Sequence, residues 1–153
     1  MLIIFAGMLL ASCNLTAPDD QSSAKAVITA LYSRLQSSRY EDALRLLRAQ
    51  DGTALTAPSQ GAIKQSWETA LKDNVFRVTT VTFTDERSLE NDARALLPNG
   101  VPAVRLTFDV EGVSDAKCWK LPVRNATASL GQIDGRWYVL EELHFPGSFV
   151  VRC

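Results

Sequence analysis

The chain has 153 residues, with 16 basic against 17 acidic side chains and an apolar fraction of 46%. A near-neutral balance gives no electrostatic case for nucleic acid or for attraction to an anionic membrane surface. One histidine and three cysteines exclude a His-rich metal centre, and no metal or other cofactor is expected.

In chain order the first feature is an apolar run from Met1 to Leu10, closed by the small residues Ala11 and Ser12 and then by Cys13. The run is about half the length a membrane-spanning helix needs. Leu10-Ala11-Ser12-Cys13 after such a run resembles the lipobox of a bacterial lipoprotein signal peptide. The resemblance implies cleavage before Cys13 and lipid on its sulfur and new amino group. The protein would then be anchored to a membrane of the bacterial cell envelope, inner or outer, with its domain on the extracytoplasmic side. Residues 2–12 contain no Lys or Arg. Either the α-amino group alone supplies the positive charge of the n-region, or the true start lies upstream. The competing reading is a buried segment of a cytosolic protein with Cys13 a packed thiol. Each buried CH2 of a lipid contributes about 0.8 kcal/mol, so one acyl chain holds marginally and two or three hold firmly. Asn14 to Ser23 is polar, with Pro18 and two adjacent aspartates, and reads as a tether. The organisation expected is residues 1–12 signal peptide, 13–23 lipidated tether and 24–153 a single α+β domain. Removing residues 1–12 from 153 leaves 141, enough for a real core.

With Cys13 assigned to lipid, Cys118 and Cys153 remain. Outside the cytosol an isolated pair is expected as a disulfide. It would close a loop of about 35 residues, worth about 3–4 kcal/mol in the loop-entropy model. Two thiols and a lone His144 make a poor metal site.

Val27, Leu31 and Leu35 recur at four-residue spacing and predict a helix from about Ser23 to Gln36. Ser38-Arg39-Tyr40-Glu41 reads as a capping box for a second helix running to about Ala49, with Tyr40, Ala43, Leu44 and Leu47 inward. The nearest approach to a basic cluster, Arg45 to Arg48, falls on this helix. Ser59 can cap a third helix from Gln60 to about Asp73, with Ile63, Trp67, Ala70 and Leu71 inward.

From Val75 the period becomes two. The phase slips at Thr79-Thr80, which predicts a β-bulge or bend, and residues 86–100 read as a ragged edge or loop. Val104, Leu106, Phe108 and Val110 form the clearest inward-facing strand. A turn at Gly112 to Asp115 is expected to lead into a long strand from about Lys117 to Ile133, with Pro122 confining its start to an edge or bulge. Asp134-Gly135 predicts a two-residue type I′ hairpin. Its register sets Gln132 opposite Trp137, Gly131 opposite Tyr138, Leu130 opposite Val139, Ala128 opposite Glu141 and Ala126 opposite Leu143. Phe149-Val150-Val151 would add a last strand.

Helices followed by long antiparallel strands indicate an α+β fold: three N-terminal helices packed on a bent antiparallel sheet. The element order over residues 23–145, with Asp134-Gly135-Arg136-Trp137-Tyr138-Val139 as closing hairpin, resembles the nuclear-transport-factor-2-like (cystatin-like) cone. That family hosts isomerases, dehydratases, hydrolases and pure binding modules, so the fold alone assigns no chemistry. The resemblance implies a pocket between the concave sheet and the helices. Glu141 is the foremost acid/base candidate, on the inward parity where desolvation would raise its pKa; the alternative sets it hydrated at the cone mouth or facing solvent. His144, the only histidine, lies three residues on and would complete an acid/base pair or simply be solvated. Tyr32, Trp67 and Trp137 are candidate pocket residues, and equally candidates for plain core. Three functional classes follow: a non-catalytic module binding a small apolar ligand or an envelope partner protein, a small isomerase- or hydrolase-type enzyme using Glu141, or a purely structural envelope component.

Overall fold

The computed structural model describes residues 20–90, 92, 97, 98 and 100–141. The first helix, α1, spans Ala24–Gln36. Ser23 caps it by accepting the Ala26 N–H at 3.1 Å. Its stripe of Val27, Ile28, Leu31 and Leu35 is buried almost completely, as its spacing predicts.

The end of α1 differs from the expected capping box. Ser38 has φ 56, and two backbone bonds close the helix: Ser38 N–H to Leu35 O at 3.1 Å and Arg39 N–H to Arg34 O at 2.9 Å. This is a Schellman closure, with Ser38 in the left-handed position that ends α1. Ser38 therefore does not cap the second helix, α2, whose N-cap is Arg39 with no side-chain bond. The helix α2 is also short, Tyr40–Leu44. Leu47–Ala49, expected as helix, leave it to form β1.

The third helix, α3, spans Ala57–Leu71 and begins three residues before the expected start. Thr56, not Ser59, is its N-cap, and Pro58 stands in the first turn, where a missing N–H is harmless. Ile63, Trp67, Ala70 and Leu71 are buried, as expected.

Four longer strands follow: β2 Phe76–Ser88, β3 Ala103–Ser114, β4 Val123–Ile133 and β5 Arg136–Glu141. The sheet order is β1-β5-β4-β3-β2. β1 runs parallel to β5 and the other neighbours are antiparallel, so the sheet is mixed where an antiparallel one was expected. The predicted slip in β2 is present, between Val78 and Thr80, and a second lies between Phe83 and Asp85. Charged residues through Ser88 extend β2 beyond its expected end at 85 because this edge strand faces solvent. β3 continues through the expected turn to Ser114, since Arg77, Val78 and Phe76 of β2 pair with Val113, Gly112 and Ser114. Lys117 to Pro122, expected as strand, form an irregular connection instead; Trp119 and Leu121 pack on the core, which removes them from the ladder. The Asp134-Gly135 hairpin is as predicted, with φ 51 and 78. Gln132 pairs with Trp137, Gly131 with Tyr138 and Leu130 with Val139. The segment holding Leu143, His144, the expected last strand and Cys153 lies outside the described residues.

The inward parity of the sheet and the buried faces of all three helices form one apolar cluster. Trp67 is wholly buried in it, and the Tyr32 ring meets Phe108 and Trp119 at centroid distances of 6.3 and 6.4 Å. At Gly112 the backbone of β2 leaves no room for a side chain. A Cβ there would sit 2.1 Å from the Arg77 carbonyl oxygen, an approach only glycine permits. Gly112→Ala is expected to lower stability by about 1–3 kcal/mol in urea unfolding. Gly61→Ala, in α3 with nothing within 4 Å, is expected to raise it by about 0.5–1 kcal/mol.

Candidate functional site

β5 organises the region where the candidate residues fall. Its sequence Trp-Tyr-Val-Leu-Glu alternates, and Trp137 and Val139 belong to the inner cluster. Tyr138 and Leu140 take the other face, yet they too are buried, at 8% and 6% exposure. Leu97 and Leu140 fill the space over Gly131, whose cross-strand partner is Tyr138.

The edge of β5 is closed by two different segments. Gln21 pairs with Trp137: the Trp137 N–H donates to Gln21 O at 3.0 Å and Gln21 Nε2 donates to Trp137 O at 3.0 Å. Two residues on, the Val139 N–H donates to Leu46 O at 2.9 Å, and Leu47, Arg48 and Ala49 register with Val139, Leu140 and Glu141. Asp20, beside Gln21, is ion-paired to Arg34 at 2.6 Å, and the same guanidinium donates to Asp42 O at 2.6 Å. Asp20 and Gln21, read from sequence as tether, are bonded to the domain.

Glu141 ends β5 beside Ala49 and is 4% exposed. The inward parity expected for it agrees with Trp137 and Val139 in the core. Two of the other candidates make ring contacts within the core. Tyr32 is in ring contact with Phe108 and Trp119, whereas Trp67 packs on Tyr40 at 6.3 Å. Trp137 is half-buried at the Gln21 contact. His144 and Cys153 lie outside the described residues, as does Cys13; Cys118 sits half-buried in the connection after β3. Among the described residues no group of three or more His, Cys, Asp or Glu side chains is placed to hold a metal.

A groove of about 180 Å³ lies where α2 ends and β1 begins. Leu44, Leu47 and Leu55 supply its apolar wall, and Arg45 and Arg48 stand on it with Glu41. Gln60 of α3 holds the far side by donating from Nε2 to Leu55 O at 2.9 Å. The loop before it is tightly turned: Asp51 Oδ1 accepts from the Thr53 N–H and hydroxyl, and Gly52 has φ 83. Arg48 lies over the Tyr138 ring, 4.1 Å from its centroid, a geometry that holds the guanidinium by cation–π attraction. Lys64 pairs with Glu41, and that hydrogen bond, then the Glu41 charge, raises the Lys64 ammonium above its ordinary value. Sequence reasoning missed this groove because it placed Arg45 and Arg48 together on one helix. The signal it held was Leu46-Leu47, two adjacent apolar residues that a single amphipathic stripe accommodates poorly.

Compared with protein-family models and with curated proteins, the chain matches none.

Burial pushes the Tyr32 hydroxyl well above the ordinary tyrosine range. The unfolded chain therefore loses this proton first as pH rises, so stability is intact below about pH 10 and declines above it, by up to about 1.4 kcal/mol per pH unit. Urea midpoints measured between pH 9 and 11 are expected to fall less steeply in Tyr32→Phe than in the parent.

Proposed function

We propose that the protein is a lipid-anchored module of the bacterial cell envelope, held through Cys13 on the extracytoplasmic side of a membrane, and that its domain binds a small apolar ligand or a partner protein without catalysing a reaction. The observation that carries the anchor is Leu10-Ala11-Ser12-Cys13 directly after an apolar run at the start of the chain. The α+β element order supports a nuclear-transport-factor-2-like cone. A binding reading is supported by the ring contacts of Tyr32 and Trp67, which give both side chains a packing role in the core. Among the described residues no helix is long and apolar enough to cross a membrane, so attachment would rest on the lipid. In this compartment Cys118 and Cys153 would form a disulfide.

Cys13→Ala is expected to move the protein from the membrane to the soluble fraction; unchanged fractionation would refute the anchor. Mass spectrometry of the purified protein without reductant is expected to show Cys118 and Cys153 two hydrogen atoms lighter than the free thiols.

A second reading, general-base catalysis by Glu141, is favoured by the burial of that carboxylate at the end of β5. It requires a carboxyl titrating near neutrality, at about pH 6–7. Carbon-13 NMR of the Glu141 carboxyl reads this directly, and a midpoint below about pH 5 removes the catalytic role.

A further inference from the structure

We propose that the groove between α2, β1 and the start of α3 binds a carboxylate joined to a short aliphatic chain, with the Arg48 guanidinium as the carboxylate's partner. Arg48 is half-buried, and among the described residues its one side-chain hydrogen bond is a 3.3 Å contact from Nη1 to Leu47 O. Among the described residues it has no ion pair, whereas Arg34, Arg39, Arg45 and Arg124 each have at least one. The guanidinium carbon lies over the Tyr138 ring, a contact that takes up no hydrogen-bond acceptor and so leaves N–H donors for a ligand. Tyr138 is itself buried, so the platform is fixed, and a planar fork held in place is suited to bidentate carboxylate recognition.

The rest of the groove fits the same ligand. Arg45, paired to Asp42, stands beside Arg48 on the groove, and the carboxylate on the rim, Glu41, is engaged by Lys64. Leu44, Leu47 and Leu55 offer an aliphatic wall beside Arg48. A volume of about 180 Å³ is smaller than the 300–1,000 Å³ typical of sites for drug-sized ligands. It suits one short chain with its acid group. Two sources share that chemistry: a free short-chain acid, and the C-terminal residue of a peptide with an aliphatic side chain. The inference deepens the binding-module reading. It does not involve Cys13, so fractionation of Cys13→Ala can go against the anchor and leave it standing.

The test is a titration of the full-length protein with sodium hexanoate, followed by backbone amide NMR. Saturable shifts are expected at Leu44, Leu47, Arg48 and Leu55, with none from hexanol at equal concentration. Arg48→Gln is expected to weaken hexanoate binding by about tenfold or more. Arg48→Lys keeps the charge without the planar fork, and is expected to weaken it several-fold; it serves if the glutamine variant does not fold. A leucine-terminated peptide and its C-terminal amide form the second arm. Tighter binding of the free-acid peptide than of hexanoate assigns the site to a protein terminus, and the reverse order assigns it to a free acid. The proposal is overturned if neither acid gives saturable shifts, if hexanol binds as well, or if the Arg48 variants bind like the parent.

Discussion

The outer edge of β5 is the constraint on which the rest of this structure depends. A strand buried on both faces cannot leave its edge amides and carbonyls unpaired without a cost of about 1–3 kcal/mol for each buried group. β4 satisfies one edge through the Asp134-Gly135 hairpin. The other is satisfied by Gln21 at Trp137 and by Leu46 to Ala49 further along. Meeting that demand cuts α2 to five residues and redirects the chain after Leu44. The groove follows as a consequence, because a helix that stops early and a strand that starts at once leave a notch, which Leu55 and Gln60 border from the other side.

Elements written in local chemistry were legible. The hairpin needed only two residues able to take positive φ, and Asp134 and Gly135 both do. The stripes of α1 and α3 and the alternation of β3 read directly as buried faces. The slip at Thr79-Thr80 showed as a change of parity among apolar residues. The second slip did not, because Thr84, Asp85 and Glu86 are polar and exposed and their parity carries no hydrophobic mark.

Elements decided by distant partners were not legible. β1 has three residues, and its reason to exist lies some ninety positions away in β5. A helical stripe of Tyr40, Ala43, Leu44 and Leu47 describes the same burial equally well, and all four are buried; burial was read correctly and conformation was not. Ser38 shows the same ambiguity on a smaller scale. A serine three residues before a glutamate suits the start of one helix, but the left-handed closure of the preceding helix claimed it first. In the candidate site, the inward parity of Glu141 followed from the hairpin. Arg48 could not be found, since its stacking on Tyr138 exists only once β1 lies beside β5.

The contacts of Asp20 and Gln21 also have a mechanical meaning. A pull arriving from the N-terminal side of Asp20 meets the Asp20–Arg34 pair first and the two bonds between Gln21 and Trp137 next. Arg34 is tied in turn to the backbone of Asp42, so the load passes to α1 and α2 together before any turn of α1 is stretched. The start of the domain would thus act as a strain relief: a pull on it is taken up at a small polar clasp, and the apolar core behind it is spared.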